Sequence, residues 1–294
     1  MPEFPLLQVD AFTTRPLAGN PCAVVFDGAG LDDETMLAIA REMNLSETSF
    51  VVPSERADFG ARYFTPLGEI PMAGHPTVAT IHALVETGRL ELQGDCTRVT
   101  LELPAGVLPI EVEASAVRVT RVVMTQLRPE FHEPLEPAGV LEIFGLEAED
   151  AHPDLPVAVV STGTPQLMVP VQSIESLRRI EADGAAHARL AGDQRFFSTH
   201  LFTLEGVGGG QTFARHFAPG ARGFEDPFTG SATGAMAALL WRHAALGPRF
   251  VAEQGHWMGR PGCAEVEVLG PKEAIEGIRV AGAAVTVLRG HLEL

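Results

Sequence analysis

Charge disappears from this chain twice, and each time a glycine opens the uncharged run. Gly74 leads into His75-Pro76-Thr77-Val78-Ala79-Thr80-Ile81-His82-Ala83-Leu84-Val85, and no charged residue comes before Glu86. Gly230 leads into Ser231 to Ala245, which is rich in small residues and carries only Arg242 as a charge. A helix without a charged face is buried all round. Small side chains let other backbone approach it closely. Each run therefore predicts a central helix wrapped by strands, with Pro76 at the first helical position and Gly88 at the exit of the first helix.

The two helices belong to a longer internal repeat. Gly19-Asn20-Pro21 and Gly163-Thr164-Pro165 each lead into an apolar strand. Gly74-His75-Pro76-Thr77 and Gly230-Ser231-Ala232-Thr233 each open a buried helix. The two matches fall in the same order, at similar offsets of 144 and 156 residues. The expected fold is α+β: two pseudo-symmetric halves, each a curled, mostly antiparallel sheet around a central buried helix. We place the halves at residues 1–120 and 121–294, with the last strand free to return to the first half.

The rest of the chain fills in this plan. Leu6 to Phe12, Cys22 to Phe26, Ser49 to Pro53, Ala61 to Thr65, Arg98 to Leu103, Leu108 to Val112 and Val117 to Met124 read as strands. So do Leu155 to Val160, Gln166 to Val171, Gln194 to Thr203 and Gln211 to Phe217. Asp32 caps a helix whose first turn is acidic, and Met36, Leu37, Ala40 and Met43 form its apolar face. A polar amphipathic helix is expected near Ile174 to Ala182.

Composition narrows the function. The hydrophobic share of 46% supports a sizeable core, and 294 residues suit two domains. The net charge of −17 opposes binding to nucleic acid or anionic membranes. No apolar run is long enough to span a bilayer, and the start lacks the order of a signal peptide. A cytoplasmic protein is expected. Cys22, Cys96 and Cys263 are too few and too widely spaced for a disulfide framework or a zinc site, and are expected in the core. No His-Glu-x-x-His occurs among the ten histidines, and His132 and His152 read as loop residues. Gly206-Val207-Gly208-Gly209-Gly210 lacks the Walker lysine and reads as a hairpin turn. Trp241 and Trp257 read as core or interface. No metal or cofactor is expected.

Two similar halves would make a cleft, and helix N-termini turned toward it would offer free N–H groups and positive dipole ends to a carboxylate. Acid–base groups are then wanted near the helix starts. Asp226 lies in Phe224-Glu225-Asp226-Pro227-Phe228-Thr229-Gly230, His75 at the first helix start, and Glu47 in Asn44-Leu45-Ser46-Glu47-Thr48. Read singly, Glu47 and Asp226 could equally be caps or solvated carboxylates, and His75 a satisfied histidine at a helix terminus.

The stretches QVDAFTTRPLAGNPCAVV, NLSETSFV, RYFTPLGEIPMAGHPTVAT, STGTPQLMVPV, EDPFTGSATGA and IRVAGAAVTVLRG, from Gln8 to Gly290, resemble the PhzF family of phenazine-biosynthesis-type isomerases, which have the diaminopimelate epimerase fold. The resemblance implies a homodimeric, cofactor-free isomerase that moves a proton within a small cyclic carboxylate. Glu47 would act first as base and then as acid, while His75 and Asp226 position and polarise the substrate. Asn20, Gly74, Gly230 and Ser231 would bind the substrate, the last three through backbone N–H groups.

Epimerases of this fold use two cysteines, one at each helix start. Here those positions are Ala73 and Thr229, so two-thiol racemisation is disfavoured. A second alternative, a non-catalytic binding or interaction protein on the same fold, is opposed by the presence of Glu47, His75 and Asp226 together.

Overall fold

The computed structural model of the protein describes residues 2–115, 118–218 and 225–294. Phe224, in the segment leading to Asp226, and Val117, the expected start of a strand, lie outside the described residues. The architecture is α+β, and the chain divides into two compact units. One runs to Thr125 and includes Ala281–Leu294, and the other runs from Gln126 to Val280 apart from residues in the stretch between 219 and 224. Among the described residues no helix is long and apolar enough to cross a membrane.

In the first unit, strand Glu3–Ala11 pairs antiparallel with both Asn20–Val25 and Ala284–Glu293. Helix Asp33–Met43 follows, capped by the Asp32 side chain, which accepts from the Thr35 N–H. Its buried face is Met36, Ile39 and Ala40, packed on Val25, Phe50 and Phe64, while Leu37 and Met43 are only half-buried. Leu37 and Met43 pack against the same cluster, so the expected face is the one that meets the core, with Ile39 added to it. Glu47–Val52 then lies parallel to Asn20–Val25, with Cys22 opposite Glu47. Phe59–Thr65 runs antiparallel to it, the short strand Gly68–Ile70 turns back, and helix Gly74–Glu86 follows. Cys96–Leu103 sits parallel to Phe59–Thr65 and pairs with Gly106–Ser115, beside which Arg118–Gln126 runs antiparallel.

The second unit repeats this order. Val157–Ser161 and Pro165–Pro170 form an antiparallel pair. After helices Ile174–Arg178 and Gly184–Gln194, strand Ser198–Thr203 lies parallel to Pro165–Pro170, with Gln166 opposite Ser198. Thr212–Phe217 runs antiparallel to it, and Glu225–Asp226 turns back. Helix Gly230–Arg242 then leads to Arg249–Gln254, parallel to Thr212–Phe217 and antiparallel to Gly262–Leu269. Each unit thus places a parallel strand pair after the outer helix segment and a second one after the buried helix.

Both uncharged runs are buried helices. Gly74 to Leu84 are buried without interruption, and so are Ala232 to Leu240. Gly88 takes a positive φ of 69° just beyond the first helix. Pro76, however, is the third helical residue. It is tolerated because first-turn N–H groups have no intrahelical partner in any case. In the second helix the lack of a side chain at Gly234 is required: a Cβ there would lie 1.9 Å from Gln126 Oε1.

Several expectations are corrected. The helix expected over Ile174 to Ala182 ends at Arg178. A separate helix, Gly184–Gln194, begins where Asp183 accepts from the N–H groups of Ala185 and Ala186, so the strand expected from Gln194 starts only at Ser198. Cys22 is buried, but Cys96 and Cys263 are exposed, because both occupy outward-facing positions of alternating strands. His132 lies within strand Glu130–Leu135 and not in a loop. The glycine-rich turn does join two antiparallel strands. The buried Glu253 carboxylate fills it, accepting from the N–H groups of Val207, Gly208 and Gly210.

Candidate functional site

In the first unit, the strand–helix arrangement gathers Asn20, Glu47 and His75. Gly19 makes the tight turn ahead of Asn20 with φ 58°, and a Cβ there would lie 2.1 Å from the Ala11 carbonyl oxygen. Asn20 is fully buried, and its Nδ2 lies 3.1 Å from His75 Nδ1. With the ring proton on Nε2, Nδ1 accepts from the Asn20 amide nitrogen. His75 Nε2 is 3.2 Å from Glu47 Oε2. Burial drags the His75 pKa down to about 3, so the imidazole is neutral near pH 7. Glu47, the first residue of its strand, keeps 18% of its side chain exposed, against 4% for His75. The Glu47 side chain is therefore partly open to solvent, while its Oε2 is buried against the neutral imidazole.

Hydroxyls tie the Glu47 strand to the His75 helix. Ser49, two residues along from Glu47, has its Oγ 2.6 Å from Thr80 Oγ1, which also donates to the Pro76 carbonyl. Tyr63 Oη lies 2.9 Å from Thr77 Oγ1, and Thr77 donates to the Ala73 carbonyl. Ala73 is the N-cap residue and makes no side-chain cap, so the helix start is left without one. Cys22, opposite Glu47 in the sheet, is held as a neutral thiol: burial raises its pKa well above the usual range, and the Glu47 charge adds to this.

In the second unit, Asp226 ends its short strand and accepts a short hydrogen bond from Thr229 Oγ1. Gln254 closes the turn by donating to the Asp226 carbonyl and accepting from the Thr229 N–H. Thr229 is the N-cap of the second buried helix, and again no side chain caps it. Gln166 Nε2 donates to Ser231 Oγ at 2.8 Å, and Gln126 Nε2 donates to the Gly230 carbonyl at 2.8 Å. Thr233 donates to the Thr229 carbonyl, as Thr77 does to that of Ala73. The positions expected to carry thiols in a racemase are thus the two N-cap residues.

The structure brings Asn20, Gly74, His75 and Glu47 together in one unit, and Asp226, Gly230 and Ser231 together in the other. Sequence reasoning missed Ser49, Thr80, Gln126 and Gln166. Gln166 had a signal: it follows Gly163-Thr164-Pro165 as Cys22 follows Gly19-Asn20-Pro21. Among the described residues no group of three or more His, Cys, Asp or Glu side chains is placed to hold a metal ion.

Comparison with known proteins places this geometry in a family. The profile of the phenazine biosynthesis-like (PhzC-PhzF) family matches residues 9–290. The chain belongs to that family. It is 35% identical to the isomerase YfhB of Bacillus subtilis over 273 residues, covering 91% of this chain and 92% of that one. It is 33% identical to the trans-2,3-dihydro-3-hydroxyanthranilate isomerase of Pseudomonas aeruginosa, covering 97% and 98%. The crystal structure of a PhzF-family phenazine biosynthesis protein from Bacillus anthracis superposes with a TM-score of 0.89 at 32% identity, over the full length of both chains. The protein is a PhzF-family isomerase acting on a small molecule.

Proposed function

We propose that this PhzF-family isomerase moves a proton within a small cyclic carboxylate, with Glu47 as the proton carrier and no cofactor. The observation that carries the reading is the pairing of a largely buried carboxylate with a buried, neutral His75 whose Nε2 lies 3.2 Å from it. The carboxylate takes a proton from one substrate carbon and returns it to another, and the imidazole N–H steadies it while it is charged. Asn20 holds the imidazole in the tautomer this needs. Asp226 is assigned a positioning and polarising role. Gly74, Gly230 and Ser231 supply N–H groups at helix starts without side-chain caps, which favour an anionic group. The substrate class rests on the name of the Pseudomonas aeruginosa relative, whose substrate is such a carboxylate. Family membership supports a homodimer, which light scattering on the purified protein tests.

Glu47→Gln keeps the shape and removes the proton-carrying group. Turnover should fall about a hundred- to ten-thousand-fold with folding and ligand binding retained. The assay is proton NMR of candidate cyclic amino- and hydroxy-carboxylates incubated with enzyme in D2O. Solvent deuterium should enter a substrate carbon with the wild type and not with the variant. Equal incorporation by both would remove Glu47 from the mechanism.

A further inference from the structure

At the far end of the helix Gly230–Arg242 from Asp226, the second unit carries a recess of about 520 Å³ lined by Arg128, Phe131, Arg242, Lys272, Glu273 and Ile275. Lys272 is the only lysine in the chain. Three cations thus share one hollow of a protein that carries 38 acidic residues against 21 basic ones. Most surface arginines here are neutralised by partners, as Arg62 is by Asp33 and Glu69 and Arg249 is by Glu267. Arg128, Arg242 and Lys272 form no ion pair among the described residues.

The side chains are also arranged for a ligand. The Arg242 guanidinium lies over the Phe131 ring, 4.2 Å from its centroid, which holds the planar group flat and leaves its N–H edges available. Arg128 Nε donates to the Ile275 carbonyl at 3.2 Å, so the side chain is anchored while its two terminal nitrogens remain for an oxyanion. With Glu273 included, the lining carries a formal charge of +2. The volume falls within the range of about 300–1,000 Å³ common for small-molecule sites.

We propose that this recess binds a small dianion of phosphate or dicarboxylate chemistry, at a site separate from the one that carries Glu47. Gathering three like charges without partners is unfavourable in the empty protein, and a bound dianion removes that repulsion. Forked guanidinium contacts would read the oxygen geometry.

The lone lysine gives a direct probe. Reductive methylation with 13C-formaldehyde labels Lys272 and the N-terminal amine and nothing else, so the proton–carbon correlation spectrum holds one signal from the recess and one internal control. Pyrophosphate and benzene-1,2-dicarboxylate are titrated in separate arms, with sodium chloride at matched ionic strength as reference. The Lys272 signal should shift saturably with at least one dianion while the N-terminal signal follows the salt reference. A response to pyrophosphate alone assigns phosphate chemistry, and a response to the dicarboxylate alone assigns the carboxylate class. Arg128→Gln and Arg242→Gln should each weaken the response by about tenfold, and Glu47→Gln should leave it unchanged. The spectrum of each variant also reports whether it is folded, and Arg242→Met, which removes the charge and keeps an unbranched side chain, replaces Arg242→Gln should that unfold. Linear shifts equal to those with chloride in both arms, or saturable shifts that survive both arginine substitutions, would overturn the proposal.

Discussion

Lowering the pH from 7 to 5 is expected to remove about 4 kcal/mol of folding stability from this protein. His75 and His200 set this figure, His216 acts in the same direction, and all three are buried. Burial drags His75 and His200 down to about 3, and His216 falls well below its ordinary value through burial and the neighbouring His200. His200 Nδ1 and His216 Nδ1 are 3.2 Å apart, so one ring donates, the other accepts, and a further proton there finds no acceptor. In the unfolded chain each ring titrates near 6.5, as a model histidine does. Below that pH the unfolded chain takes up protons that the folded chain refuses. Stability is therefore fully present above about pH 6.5 and is lost as the pH falls toward 3, by up to about 1.4 kcal/mol per pH unit for each histidine. From pH 7 to 5 His75 and His200 each contribute about 2 kcal/mol, to be set against a typical total stability of about 5–15 kcal/mol. His82 and His187, also lowered by burial, act in the same direction. Carboxylates held low by arginines, such as Asp27 by Arg89 and Glu267 by Arg249, lose their contribution only at lower pH. The window therefore isolates the histidines. Urea unfolding followed by circular dichroism at pH 7, 6 and 5 measures the slope, provided the denaturant dependence stays constant. Urea midpoints that do not change across this range would refute the reasoning.

Gly234→Ala forces the Gln126 amide off the Gly230 carbonyl and away from Thr162, and should lower stability by about 1–3 kcal/mol. An unchanged thermal midpoint would show that Gln126 relaxes freely. Ser49→Ala cuts the link to Thr80 and should slow turnover in the D2O exchange assay with the fold intact, whereas full activity would mean that Glu47 needs no such tether. A thiol reagent should modify two cysteines, Cys96 and Cys263, in the native protein and all three after denaturation. Three fast-reacting native thiols would contradict the burial of Cys22.

The buried helices were legible because a run without charge is a strong statement about environment, and Gly74 and Gly230 marked where each begins. The Asp32 cap was equally plain. Glu47 and His75 were found as members of motifs, but nothing local shows that their side chains meet. That pairing arises because Glu47–Val52 lies parallel to Asn20–Val25, the strand that begins with Asn20, His75's other partner. Ser49 and Thr80, or Gln166 and Ser231, are ordinary polar residues whose partners lie 31 and 65 positions away, so their roles emerge only once the sheet register is known. Helix Gly184–Gln194 was missed because its pattern, with His187 as its buried residue, lacks the apolar stripe that marked Asp33–Met43. The exposed cysteines were misjudged because residue type was weighed without strand parity.

Duplication explains the scaffold, and divergence within it explains the proposed chemistry. The parallel strand pair of each unit gives a common register: Cys22 lies opposite Glu47 as Gln166 lies opposite Ser198. Each buried helix carries a threonine in its first turn that bonds the N-cap carbonyl, Thr77 in one and Thr233 in the other. Against this shared frame, His75 corresponds to Ser231 and Glu47 to Ser198. One unit keeps a carboxylate and an imidazole where the other has two hydroxyls. Neither serine hydroxyl gives up a proton to carbon chemistry near pH 7, whereas both can donate hydrogen bonds to an anion. A proton shift by a single carrier needs one group that takes up and releases the proton, and in the proposed chemistry Glu47 of the first unit is that group. The equivalent position of the second unit, Ser198, is under no such demand, which is how two units of one register come to differ where the carrier stands.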